Sequence, residues 1–373
     1  MGRLHVNSAS SFRLPPRRGA LIFALSLCAF AVALAPCAAQ LPGASMQSVK
    51  WPLRTREHVD LWLHGFVMIS SDTSPVPVFR RGYREALIAA RTKASAVTDL
   101  DVNHDALARR LRENPALTNA QFLALAFPTW DELVAAIDGF VKADGDPKKA
   151  KSKENAAVFS NLARLFPAKA DREFVRTLTN ALQNEKDVFF HAWWVDEMRR
   201  RERTLAAIDV IWQGELRPRL QNFLNHSEQP NGDLILSLAL EGEGRTVTDT
   251  RALGQVAVGF PDSPDHAMDA LYAFAHEVVG PLTGPAVEDN TTPAEKRSGV
   301  ATVIGSYALV RGGALLLARL SPELAAGYAR FYLRVAGVAF DGDPMASFAR
   351  AFPIPKPMLE SIDRQISISF GGI

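Results

Sequence analysis

Two neighbouring side chains, His276 and Glu277, are the residues in this sequence best suited to chemistry by type and spacing. They lie in the stretch 272–280, YAFAHEVVG, near the end of an apolar segment with helical periodicity. An imidazole can bind a metal ion, and an adjacent carboxylate can take a proton from a metal-bound water. The pair is therefore a candidate ligand, His276, and a candidate general base, Glu277. Residues at i and i+4 share one helix face, so a second ligand on the same helix belongs at position 280. Gly280 stands there, followed by Pro281.

The stretch resembles the zincin metallopeptidases of the gluzincin branch, whose HExxH helix packs beside a small sheet. The resemblance covers residues 233–320, including the order of strands, His-Glu helix and following helix. It implies a zinc cofactor held by two histidines and a third ligand, peptide or protein substrates, and Glu277 as general base. The motif is degenerate here: His276-Glu277-Val278-Val279-Gly280 lacks the second histidine. A glutamate on the next helix would fall near Gly299, Val300 and Ala301, none of which is a ligand. Only His276 and Glu277 carry over.

Three readings follow. The chain has a zincin-like fold without its metal; or the site is rebuilt with Glu288, Asp289 or a remote histidine (His58 or His64); or His-Glu is a chance pair in an unrelated helical fold. Gly280-Pro281 and Gly284-Pro285 are expected to break the helix and let Glu288 fold back towards His276, making Glu288 the candidate second ligand. Peptidase activity impaired or absent is one expectation. A periplasmic or surface interaction protein without catalysis is the alternative.

Other candidates have plainer readings. His58 and His64 share an early helix, but side chains six apart point about 240° from one another, a poor chelating arrangement. The aromatic run 189–194 precedes Arg199-Arg200-Arg201, yet Asp196, Glu197 and Glu202 are interleaved, so a half-buried amphipathic helix is expected and no nucleic-acid partner. The stretch 240–246, LEGEGRT, has no lysine of a phosphate loop and reads as a turn. Ser237, Ser306 and Ser321 lack the setting of a hydrolase nucleophile.

The first 39 residues explain the overall charge. Arg3, Arg13, Arg17 and Arg18 precede an apolar run over 20–35, and a small-residue exit follows at 36–39. This is the pattern of a secretory signal. Pro36 spoils a lipoprotein box at Cys37, and the residues after Arg18 fit twin-arginine export poorly. Removal near Gln40 lowers Lys+Arg from 42 to 38 against 40 Asp+Glu, turning a net +2 into −2. Both cysteines, Cys28 and Cys37, leave with the signal, so the exported chain has no disulfide, thiolate metal site or cysteine nucleophile. A periplasmic or extracellular location is expected.

The elements that must position His276 and Glu277 follow from periodicity. Helices are expected over 58–69, 83–96, 118–141, 155–166, 171–184, 265–279, 293–320, 321–338 and 357–369, with an exposed loop over 143–155. Strands are expected over 233–240, 245–248 and 255–260, bounded by Asn231-Gly232 and Gly242-Glu243-Gly244 turns. The expected fold is α+β and predominantly helical, with a small antiparallel sheet beside the zincin-like helix. A helical region over 40–230 precedes an α+β region over 231–373. The apolar stretch 300–318 has Arg311 at its middle, which costs about 2.5–3.5 kcal/mol at a bilayer centre. A core helix is expected there and no transmembrane span in the exported chain.

Overall fold

The computed structural model describes residues 50–70, 76–250 and 253–371. The leader expected over 1–39, with both cysteines, lies outside the described residues. Among the described residues nine α-helices precede the central strands: α1 (Glu57–Ile69), α2 (Tyr83–Ala94), α3 (Asp99–Glu113), α4 (Trp130–Lys142), α5 (Lys153–Leu165), α6 (Lys169–Glu185), α7 (His191–Arg200), α8 (Glu202–Ile211) and α9 (Arg217–His226). Strand β1 (Leu53–Thr55) opens the described chain, and β2 (Gly232–Ser237), β3 (Arg245–Thr248) and β4 (Gly254–Gly259) follow α9. Then come α10 (Ala267–Val278), α11 (Gly280–Asp289), α12 (Pro293–Ser298), α13 (Val300–Ala318), α14 (Pro322–Val335), α15 (Pro344–Ala351) and α16 (Lys356–Ser369). The fold is α+β and predominantly helical, as expected.

The sheet differs from the expectation. Its order is β1-β2-β4-β3; β1, β2 and β4 are mutually parallel, and only β3 runs antiparallel, against β4. After β2 the chain crosses to the outer edge, forms β3, and returns as β4 between β3 and β2. The burial pattern gives the reason: β2 and β4 are buried almost throughout, whereas β3 is half-exposed. Near-continuous apolar strands such as the run over 234–240 belong to a sheet covered on both faces, where parallel pairing is usual.

The sheet also joins the two expected regions. Leu53, Arg54 and Thr55 pair with Leu234, Ile235 and Leu236, across the boundary placed at 230. Trp51 leads into this pairing. Its ring lies so close to Gly232 that a Cβ there would come within 2.6 Å of it, which explains the glycine. Trp51 and Trp212 both meet Phe274 edge-on, at 5.3 and 4.6 Å, and the Trp212 indole donates to the Trp51 carbonyl at 2.8 Å. This aromatic group fixes α10 to the sheet.

Within the helical region, α1 is buried from His58 to Ile69: most of it is apolar, and its His58, Asp60 and His64 find hydrogen-bond partners inside the protein. The helix expected over 118–141 is interrupted: short 3-10 turns at Pro115–Ala120 and Leu123–Ala126 precede α4, which starts after Pro128 with Thr129 as N-cap. The Thr129 hydroxyl accepts from the Glu132 N–H, a local hydrogen bond that competes with a continuous helix. Two π-turns, Lys186–Phe190 and Trp212–Leu216, interrupt the run from α6 to α9. By length and composition α13 could cross a membrane. Its Ala308, Val310, Leu316 and Leu317 are buried in the protein, while Val300 and Val303 are exposed. Arg311 lies over the Phe348 ring at 5.7 Å and donates to the Ala349 carbonyl.

Candidate functional site

His276 and Glu277 lie in the last turn of α10, which packs on β4 and against α13. The helix is apolar on nearly every side, so its polar end is forced against the sheet edge rather than into water. His276 is buried, and its ring lies 5.4 Å from that of Tyr332 on α14. Burial, with the positive charge of Arg245 nearby, lowers its pKa to about 3, so the ring is neutral at physiological pH. Its Nδ1 has no hydrogen-bond partner among the described residues, and its Nε2 lies 3.8 Å from a Glu277 oxygen.

Glu277 is engaged by the edge strand. Its carboxylate accepts from the Gly244 N–H at 3.1 Å and from the Thr246 hydroxyl at 3.4 Å. Burial raises its pKa, while Arg245 and these donors pull the other way. Gly244 permits the approach: a Cβ there would meet the Ala257 carbonyl oxygen at 2.1 Å and the Glu277 Cγ at 3.1 Å. The carboxylate thus ties the end of α10 to the β2–β3 turn. The same turn is held from a second side, where the Tyr332 hydroxyl donates to the Gly242 carbonyl at 2.9 Å. From α13, the Ser306 hydroxyl donates to Glu243 at 3.2 Å.

The expected refolding of Glu288 towards His276 does not occur. Pro281 sits in the first turn of α11, where proline is tolerated, and the helix continues through Pro285 to Asp289. Glu288 is consequently carried outwards, exposed, and pairs with Lys296 on α12 at 2.5 Å. Gly280 contributes no side chain. Among the described residues no group of three His, Asp or Glu side chains converges to hold a metal ion. Judged by this donor set, the residues present do not fit the zinc that the zincin resemblance implies, and no chemical step is derived through it.

The early histidines belong to a different cluster. His58 Nε2 meets the Phe127 carbonyl at 3.0 Å, and burial, helped by Arg56 and Lys186, lowers its pKa to about 4. His64 is fully buried, 3.2 Å from Glu185. Burial works to raise the Glu185 pKa, but His64, the Thr98 hydroxyl and Arg91 outweigh it and hold the carboxyl below its usual range. Asp60 accepts from Ser237 at 2.6 Å, Trp194 at 2.8 Å and the Leu238 N–H at 3.0 Å, closing the end of β2 onto α1 and α7. Burial nonetheless pushes it up to about 6.

Sequence reasoning missed the partners of Glu277. Gly244 and Thr246, and the Ser306–Glu243 pair that holds the same turn, come from a turn, an edge strand and a helix whose separations carry no motif. The only signal was the pair of glycines flanking Glu243, which marked a turn without marking what packs on it. Compared with known proteins, the chain matches no protein-family model, and no curated protein or solved structure shows significant similarity to it.

Proposed function

We propose that this is an exported protein that acts by binding, with a zincin-like His-Glu helix that performs no metal-dependent peptide hydrolysis. One observation carries the reading: the Glu277 carboxylate is hydrogen-bonded to Gly244 and Thr246. A general base for hydrolysis needs its carboxylate turned to an attacking water beside a bound substrate, and here both oxygens are turned to the edge strand. Glu277 instead closes the turn before β3, and its neighbour His276 is buried against Tyr332. Support from the ligand positions is consistent, since Gly280 offers no side chain and Glu288 faces Lys296.

The test is zinc content together with peptidase assay of the chain purified from the periplasm of a secreting host. The expected result is substoichiometric zinc after dialysis and no hydrolysis of unstructured protein substrates. One zinc per chain, with hydrolysis abolished in Glu277→Gln, would overturn the proposal and restore the peptidase reading.

A further inference from the structure

We draw no further inference here: the strongest candidate, the exposed apolar face at the start of α13 around Val300 and Val303, carries nothing, because no feature among the described residues shows what covers it.

Discussion

Of the histidine–carboxylate pairs among the described residues, two have a buried histidine, and their surroundings differ in kind. At the end of α10, His276 and Glu277 are sequence neighbours whose ring nitrogen and carboxylate stay 3.8 Å apart, each turned to a different element. Between α1 and α6, His64 and Glu185 are 121 residues apart yet sit at 3.2 Å, both fully buried, with Arg91 and Thr98 on the same carboxylate. The pair that resembles a motif is a packing device at a sheet edge. The pair without a motif is the tighter ionic cluster. Adjacency in sequence says little about partnership when helix geometry sends consecutive side chains to different neighbours.

The comparison breaks first at Glu185. Glu185→Ala leaves Arg91 and His64 buried without their common acceptor, and removing one partner from such a cluster costs about 3–5 kcal/mol. Urea unfolding at neutral pH should show that loss. A loss below about 1 kcal/mol, the scale of an exposed pair, would mean the cluster is open to water and the contrast with α10 is wrong.

Acid stability separates the regions next. The folded pKa values of His276, about 3, and His58, about 4, are lowered from an unfolded value near 6.5. Their stabilising contributions are therefore full above pH 6.5 and are lost as pH falls towards those folded values. Asp60 acts with the opposite sign: its folded pKa is raised to about 6, so its contribution is full below about pH 3.9 and is lost as pH rises through 6. Between pH 6.5 and 4 the histidines should dominate, and stability should fall on acidification by an amount on the order of 3 kcal/mol. His276→Gln should flatten this fall, and Asp60→Asn should steepen it. Denaturation midpoints across that window decide the matter; a stability that rises on acidification would put Asp60 in control.

A smaller effect is expected at Glu277. Glu277→Ala removes the acceptor from the Gly244 N–H and the Thr246 hydroxyl, which should cost about 1–3 kcal/mol. Glu277→Gln keeps an acceptor oxygen and should recover most of that. Should Glu277→Ala melt like the parent, the carboxylate is not a structural tie and a role in chemistry regains ground.

The sequence made some of this legible, for reasons that can be located. Periodicity identified α1, α2 and α6 and the strands at Leu234 and Val256, because apolar spacing is a local property. It did not give the strand directions, since β3 and β4 exchange their spatial order and no local pattern encodes that. Strand β1 is only three residues long and was invisible without its partner β2. The Gly-Pro pairs after α10 pointed to a broken helix, but Pro281 falls in the first turn of α11, where no N–H is missed, the helix continues through Pro285, and Glu288 is carried away. Of the candidate site, His276 and Glu277 were readable, while Gly244 and Thr246, the groups that decide what Glu277 does, were not.

The smallest effect concerns Gly280, the position where the zincin resemblance expects a second ligand. The backbone there is not in the left-handed region that favours glycine, and Gly280 begins α11 in ordinary helical surroundings. A Cβ at this position would meet only Leu309 Cδ2, at 3.8 Å, an ordinary van der Waals contact. Nothing in the fold therefore requires glycine, unlike Gly232 and Gly244, where a Cβ would collide with Trp51 or with the Ala257 carbonyl. Replacing a glycine in compatible backbone by alanine removes freedom from the unfolded chain and stabilises by about 0.4–1 kcal/mol. Gly280→Ala should raise the unfolding midpoint by that small amount, while Gly244→Ala should lower it well beyond the same margin. Destabilisation by Gly280→Ala would show that the glycine answers a steric need at the α10–α11 joint, and the absence of a ligand at 280 would then follow from packing rather than from loss of a metal.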